Sequence, residues 1–314
     1  MNSITPKKTN SFFTRIKPNI GLYIMLMPGL IFLFIYKFVP LFGLLIAFKD
    51  FNIFLGENPF ESIMLSPYVG WDHFIRLFGN PDFAQVLKNT LIINGYKIIF
   101  LFPLPLIAAI MLNEIRQKTY TKLIQTFIYI PYFFSWVVVF GIFYSLLGNQ
   151  GIVNELLTLM GLPSISFFTE KSVFRSLLVV TEGWKETGWY AVIYLASITS
   201  IDPSLYEAAK IDGAGKLKQI KHITLPSLFP TIVLLLIMKV GYILDTGFEQ
   251  ILVMYNPTVY DVADVIQTNV YRKGMGQMDF SLGTALGLFN SVISFILIVG
   301  SNTISKKFIK RSIW

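Results

Sequence analysis

The sequence predicts an all-α protein that crosses a membrane several times. Of its 314 residues, 54% are hydrophobic and only 14% are charged, a composition too apolar for an ordinary soluble domain. The apolar residues form six runs, and each is long enough to cross the hydrocarbon core as a helix of about 20 residues. In chain order, these predicted spans one to six are residues 20–48, 86–112, 123–147, 173–199, 229–252 and 282–304.

Lysine and arginine residues orient these spans. The two terminal tails and the loops after spans two and four hold fifteen of them, whereas the loops on the opposite side hold five. Because such residues are retained on the cytoplasmic side, both termini are predicted to be cytoplasmic. The net charge of +8 follows from this topology, so it gives no reason to expect nucleic-acid binding.

The predicted spans divide the chain into five parts. The first span is long and contains two prolines, and turn residues separate it from the others. It is therefore predicted to be an accessory helix outside a five-helix core. The parts are a cytoplasmic tail (1–19), the accessory helix (20–48), an extracytoplasmic segment (49–85), the core (86–304, with a cytoplasmic loop at 200–228) and a cytoplasmic tail (305–314).

The loop between spans four and five contains a polar segment, residues 202–226, hereafter the hairpin. Asp202 fits the N-cap of a helix, and Gly213 can end that helix in the left-handed conformation. A second short helix is predicted from about residue 216 to 222 and is expected to stop at Pro226. Two short helices that meet at a glycine, between two membrane-length runs, indicate a docking element.

Ionisable side chains enter spans four and five, where they would be costly if they faced lipid. Helical spacing places them on one polar face in each span. These faces hold Glu182, Lys185, Glu186 and Trp189 in span four, and Lys239, Tyr242, Thr246 and Glu249 in span five. They fit either a pathway for a hydroxyl-rich solute or interior ion pairs that fix the bundle. Trp184 points away from the first face, so it either joins a wide cavity or packs on a neighbouring helix.

The motifs of catalysis and metal binding do not accompany these faces. The segment from Gly213 to Lys216 resembles a phosphate-binding loop only in part, because Leu217 stands where Ser or Thr is required. The chain has no cysteine and two widely separated histidines, so no metal site is predicted. The chain is therefore predicted not to be an enzyme.

The hairpin sequence YEAAKIDGAGKLKQIKHITLP, residues 206–226, resembles the EAA loop of bacterial ABC-importer permeases. The matching residues are Glu207, Ala208, Ala209, Asp212, Gly213, Ile223, Leu225 and Pro226. Residues 182–256 are also similar to carbohydrate permeases of the maltose-permease type. Within that family, the stretches WKETGW, GFEQI and GLFNSV are similar to permeases for complex oligo- and polysaccharides. Ile220 departs from the pattern, since many relatives carry phenylalanine there.

This resemblance implies a type I ABC importer permease (MetI-like) fold of six helices in the bacterial cytoplasmic membrane. It also implies sugar uptake by alternating access, with a second homologous permease, a cytoplasmic ABC ATPase dimer and an extracytoplasmic solute-binding protein. No cofactor is implied in this chain, and ATP and Mg²⁺ would bind to the partner ATPase. The matching hairpin residues would couple to the ATPase, and the family's substrate contacts would fall near Glu182, Trp184, Glu186, Lys239, Tyr242 and Thr246. The alternatives are a proton-coupled secondary transporter of a polar solute and a membrane scaffold or sensor.

Overall fold

A computed structural model describes residues 19–115, 117–244 and 247–309. These residues form helices joined by short turns, and one isolated antiparallel bridge links Lys49 and Tyr68. In chain order the α-helices are α1 (Ile20–Leu33), α2 (Pro59–Leu65), α3 (Asp72–Phe78), α4 (Pro81–Tyr96), α5 (Pro103–Glu114), α6 (Lys118–Tyr129), α7 (Trp136–Leu147), α8 (Ile152–Leu159), α9 (Lys171–Thr199), α10 (Pro203–Ile211), α11 (Lys216–Gln219), α12 (Leu225–Gly241), α13 (Phe248–Met254), α14 (Tyr260–Ala263), α15 (Ile266–Tyr271) and α16 (Phe280–Ile309).

The described residues divide into two compact units, one within residues 1–70 and the other within residues 71–314. In the first unit, α1 continues through a π turn, Phe34–Phe38, and a 3₁₀ segment, Val39–Phe48. Most side chains of this long apolar helix are exposed, as expected of a helix that faces lipid. The Lys49 ammonium group donates to the carbonyls of Ile63, Met64 and Ser66 at 2.7, 3.0 and 3.1 Å, so it caps the end of α2.

In the second unit, α9 is the central helix. It packs most extensively on α5, and it also contacts α4, α6, α7, α12 and α13. One core cluster joins Ala109 of α5, Ala191 and Tyr194 of α9, and Leu228 of α12. Gly188 has no room for a side chain, because a Cβ atom there would meet the backbone carbonyl of Ile128 on α6. The small residue therefore lets α6 lie directly against α9.

Five helical segments of the described chain are long and apolar enough to cross a membrane. They are Ile20–Phe48, Pro81–Glu114, Trp136–Leu159, Lys216–Gly241 and Phe280–Lys307. Predicted span four corresponds to α9, a continuous helix of 29 residues. Its charged residues keep it out of this set, which is defined by length and composition. The described residues therefore hold five such segments rather than the six that were predicted.

Predicted spans three and five are both interrupted. In span three, α6 ends at Tyr129, a 3₁₀ turn covers Ile130–Phe133, and α7 starts after Ser135, whose hydroxyl caps the new helix. In span five, α12 ends at Gly241, and α13 starts after Gly247 at φ = +88°. Apolar residues run across both interruptions, so the hydropathy pattern merged separate helices into one span.

Candidate functional site

Three charged side chains from three helical segments meet inside the second unit. Glu182 of α9 contacts Lys97 through one carboxylate oxygen, and its other oxygen lies 3.5 Å from the Lys239 ammonium group. Lys97 is fully buried at the start of the π turn Lys97–Leu101, which continues α4. Lys239 is in the last turn of α12. A buried carboxylate needs such partners, because an unpaired charge in this environment is very costly.

Gln250 of α13 extends this network to a fourth segment. Its amide oxygen accepts a hydrogen bond of 2.8 Å from Lys97, and its amide nitrogen donates to the Leu178 carbonyl at 2.7 Å and to the Thr181 hydroxyl at 2.8 Å. The side chain is fully buried. Lys97, Glu182, Lys239 and Gln250, hereafter the buried network, therefore tie α4, α9, α12 and α13 together.

Two members of the buried network, Glu182 and Lys239, form part of the wall of a cavity of about 570 Å³. Charged and aromatic side chains from α7, α9, α12 and the segment around α13 line it. These are Trp136, Glu182, Glu186, Tyr190, Lys239, Tyr242, Phe248 and Glu249. The Lys239 ammonium group also lies 5.4 Å from the centre of the Tyr190 ring, a cation–π contact. The wall thus offers carboxylates, an amine and flat aromatic faces to one cavity.

Lys185 lies in an aromatic group that shares Trp136 with the cavity wall. Its ammonium group donates to the Tyr132 carbonyl at 2.6 Å and lies 5.1 and 5.5 Å from the ring centres of Tyr132 and Trp136. Trp189 stacks on the Tyr132 ring, with 4.4 Å between centroids. These contacts attach α9 to the interruption between α6 and α7.

The structure brings together five of the residues predicted to lie on the substrate pathway. Glu182, Glu186, Lys239, Tyr242 and Glu249 all line the cavity. Three other residues of that prediction have different outcomes. Lys185 lies in its aromatic group, and Trp184 packs edge-on against Phe143 at 5.5 Å, which favours helix packing for this side chain. Thr246 lies outside the described residues.

Neither interpretation of the polar faces excludes the other, because Glu182 is both paired and part of the cavity wall. The role of these residues in substrate binding stays a prediction.

Sequence analysis missed Lys97, Gln250, Trp136 and Tyr190. Lys97 left a signal, since it lies deep within the apolar run of predicted span two, whose other lysine, Lys88, stands near the start of the run, and ionisable residues in spans usually have a function. Gln250 follows Glu249 directly, but nothing in the sequence shows that it faces Lys97.

The hairpin forms two short helices, as predicted. The Asp202 carboxylate accepts a hydrogen bond of 2.9 Å from the Ser204 amide, which lowers the pKa of this exposed carboxyl group. After α10 the chain turns at Gly213, whose φ of +76° suits glycine. The Gln219 amide donates to the Ala214 carbonyl at 2.8 Å, and this bond closes the turn.

The end of the hairpin differs from the prediction. Instead of stopping before Pro226, α11 continues through a π turn, Ile220–Thr224, directly into α12. Pro226 lies in the first turn of α12, directly after the π turn, and such a local π adjustment allows a continuous helix to accommodate a proline. The hairpin is therefore joined without a break to the helix that carries Lys239.

The tip of the hairpin exposes apolar side chains. Ile211 and Leu217 are 87% and 82% exposed, and they flank Gly213 in the sequence. Lys216, beside them, makes an ion pair of 2.7 Å with Glu114 at the end of α5. The tip thus combines an exposed apolar surface with a tie to a second helix.

Residues 102–311 match the family of binding-protein-dependent transport system inner membrane components. The match covers about two thirds of the chain. The chain belongs to this family. It is therefore a membrane permease component of an importer and not itself an enzyme, which confirms both predictions.

Two relatives from Bacillus subtilis (strain 168) extend the family match along most of the chain. The polygalacturonan/rhamnogalacturonan transport system permease protein YteP is 44% identical over 93% of this chain and 90% of its own. Protein LplB is 42% identical over 97% of this chain and 94% of its own. The family match and the permease YteP confirm the predicted resemblance to importer permeases, and the description of the family as an inner membrane component confirms the predicted membrane location.

The permease is also similar to a solved structure. A chain in the crystal structure of a bacterial alginate ABC transporter, in complex with an alginate pentasaccharide-bound periplasmic protein, has a TM-score of 0.87 and 38% identity. The similarity covers 96% of this chain and 99% of that one. The all-helical permease fold expected from the sequence is thereby confirmed.

Proposed function

We propose that this permease imports an acidic oligo- or polysaccharide across the cytoplasmic membrane by alternating access. The observation that carries the proposal is the cavity of about 570 Å³ with charged and aromatic walls. Its volume lies within the range of about 300–1,000 Å³ that is typical of ligand pockets. Relatives that act on polygalacturonan and alginate, both polymers of uronic acids, support the same substrate class.

The chemistry of the cavity wall suits a sugar. The rings of Trp136, Tyr190 and Tyr242 can pack against the apolar C–H faces of a pyranose ring, while Glu186 and Glu249 accept hydrogen bonds from its hydroxyls. An acidic sugar also needs a cation, and Lys239 supplies one in the wall, with 17% of its side chain exposed. A single polar solute could therefore bind several of these groups at once.

The hairpin connects this cavity to a separate ATPase. Its exposed tip residues, Ile211 and Leu217, suit insertion into an apolar cleft, and the matching EAA residues Glu207 to Ala209 lie on α10. Since α11 runs without a break into α12, a movement of the tip displaces Lys239 and Tyr242 at the other end of that helix. ATP binding and hydrolysis in the partner would in this way bias two arrangements of the cavity.

The remaining partners and the topology belong to the same proposal. α9 is the sixth membrane span, and its charged face turns to the cavity. Both termini are cytoplasmic, as the distribution of lysine and arginine indicates. A second homologous permease completes the sugar path, a dimeric ABC ATPase binds the hairpins, and an extracytoplasmic solute-binding protein delivers the sugar.

Reconstitution tests the function directly. The chain and the second permease, ATPase and binding protein from the same source are placed in proteoliposomes, and uptake of trigalacturonate is followed with and without ATP. We expect ATP-dependent uptake that falls about tenfold in Lys239→Met, the effect of losing one charge-assisted hydrogen bond. The matched control is Lys88→Met, which alters an exposed lysine on α4 and should leave uptake unchanged.

Two results would overturn the proposal. ATP-independent uptake that an uncoupler abolishes would identify a proton-coupled secondary transporter instead. Equal uptake by the parent, Lys239→Met and Lys88→Met would show that the cavity is not part of the sugar path.

The topology is tested independently with single cysteines introduced into the parent chain, which has none. Labelling of a thiol in the hairpin from the outside of intact cells would contradict the proposed orientation.

A further inference from the structure

Lys97 is buried where no solute can reach it. Its side chain is 1% exposed and is absent from the described wall of the cavity. It lies in the first position of a π turn that interrupts the helix from α4 to α5, and such turns are frequent at functional sites. Burying a lysine is costly, so its contacts must offset a large desolvation penalty.

Two contacts of Lys97 control groups that do face the cavity. The first is the ion pair with Glu182, which also lies near Lys239. Lys97 makes the closer contact to this carboxylate, whereas Lys239 stays at 3.5 Å and turns toward the Tyr190 ring and the cavity. Because Lys97 pairs with Glu182, the Lys239 amine stays available for another anion.

The second contact holds the segment that follows α12. Lys97 donates to Gln250, and the neighbouring residues Gly247, Phe248 and Glu249 line the cavity. A Cβ atom at Gly247 would lie only 2.6 Å from the Lys97 amine. The lysine is therefore packed directly under the backbone of this segment, and its hydrogen bond fixes one side of the Gln250 amide.

We propose that Lys97 is a positioning residue of the sugar path, which holds α13 at the cavity wall and keeps Lys239 free to bind an anionic group of the solute. The anchoring of α13 stands by itself, whereas the role of Lys239 in binding the solute rests on the proposed function above. Other charged groups face the same region. Glu186 and Glu249 lie in the cavity wall and Lys185 lies in its aromatic group, but no ion pair within 4.0 Å links any of these three to Lys97 among the described residues.

The anchoring of α13 is tested without a substrate. Ile251 is fully buried beside Gln250, and the chain has no cysteine, so Ile251→Cys introduces a unique thiol that reacts only when α13 opens. In the purified full-length protein, Lys97→Met should raise the rate of labelling by a small maleimide about tenfold, the factor expected for one lost charge-assisted hydrogen bond. Lys88→Met in the same background should not change that rate. Equal labelling in the Lys97→Met protein and its parent would overturn the anchoring role.

The second half of the proposal, that Lys97 keeps Lys239 free to bind an anionic group, is tested by the selectivity of uptake between a charged and a neutral sugar. In Lys97→Met, Lys239 becomes the remaining partner of Glu182, so uptake of trigalacturonate should fall about tenfold relative to uptake of its neutral methyl ester. Adding Glu182→Gln removes the competing carboxylate and should restore the ratio, although it cannot restore the bond to Gln250. The same binding protein serves every variant, so a change in the ratio reports the permease.

The outcomes of the two tests separate the two proposals. An unchanged ratio in Lys97→Met, or a changed ratio that Glu182→Gln fails to restore, would overturn the role of Lys97 in selectivity. Failure of the parent to take up either sugar would contradict the proposed function, and the labelling experiment would still decide whether Lys97 holds α13. If Lys97→Met does not accumulate, the double variant with Glu182→Gln removes both buried charges together and carries the labelling test.

Discussion

The buried network and the hairpin place polar groups in opposite surroundings. In the buried network, Glu182 and Gln250 are almost or fully inaccessible, and their partners come from segments far apart in the chain. In the hairpin, Asp202 is exposed and its partner Ser204 is two residues away. The first arrangement depends on the packing of four segments, whereas the second can form from local bonds alone.

Substitutions in the two regions should therefore have different effects. Breaking one member of a buried charged group leaves its partners uncompensated, at a cost of about 3–5 kcal/mol. Changes in an exposed hairpin alter stability much less, so their effects should appear in coupling to a partner rather than in folding. The following experiments separate the two regions by stability on one side and transport on the other.

The largest loss of stability is expected from Glu182→Leu. It leaves the buried Lys97 and the partly buried Lys239 without their carboxylate, which should cost about 3–5 kcal/mol. Thermal unfolding of the purified protein in detergent measures the effect. Adding Lys97→Met to Glu182→Leu removes an uncompensated charge and should recover part of the loss. A single variant that unfolds at the parent temperature would show that the network contributes little to stability.

The second experiment disables the hairpin without unfolding the bundle. Gly213 has a φ of +76°, which proline cannot adopt, so Gly213→Pro should abolish uptake and substrate-stimulated ATP hydrolysis. Glu207→Lys reverses the charge of a matching EAA residue and should have the same effect. The amount of permease in the membrane and its unfolding temperature should stay near those of the parent. Normal coupled transport in both variants would contradict the role of the hairpin.

A smaller effect is expected where glycine meets the buried network. Gly247→Ala places a side chain at a residue with a φ of +88°, close to the Lys97 amine. The left-handed backbone alone should cost about 1–2 kcal/mol. Thermal unfolding should show this loss, and Gly215→Ala, a change in the hairpin at a position with open space for a Cβ atom, provides the control. Equal unfolding temperatures for the two variants would mean that the segment adapts to a side chain.

The smallest effect is expected at the start of the hairpin. Asp202→Ala removes the N-cap of α10, so amide hydrogen exchange in the first turn of α10 should become faster. Because the hydrogen bond lowers the pKa of Asp202, its stabilising effect is complete above the ordinary pKa of the carboxyl group. It is lost as the pH falls through the lowered pKa. The difference between parent and variant should therefore disappear in acid, and a difference that persists there would point to another cause.

Local signals made the hairpin predictable. Asp202, Gly213 and the EAA spacing lie within one short segment. Asp202 predicts the start of a helix and Gly213 predicts its end, and neither prediction depends on a distant part of the chain. The same reasoning was wrong at Pro226, because the π turn at Ile220–Thr224 places this proline in the first turn of α12. The π turn accommodates the proline, so the helix does not break where Pro226 alone predicted a break.

The candidate site was predictable only in part. Helical spacing grouped Glu182 with Glu186, and Lys239 with Tyr242, because residues three or four apart share a helix face. It also grouped Lys185 with them, although that side chain turns to Tyr132 and Trp136. A helical wheel gives direction around one helix, but it does not show which neighbour fills that direction.

The sequence by itself determined that this chain is a helical membrane permease, where its apolar segments lie, and which segment resembles a coupling loop, because hydropathy and turn chemistry are local properties of the chain. Only the tertiary structure decided that Lys97 and Gln250, separated by more than half of the second unit's sequence, share one hydrogen bond. It likewise joined the hairpin to α12 and placed Lys239 at the cavity. Contacts between distant segments follow from how helices pack, and that information is absent from the spacing within any one of them.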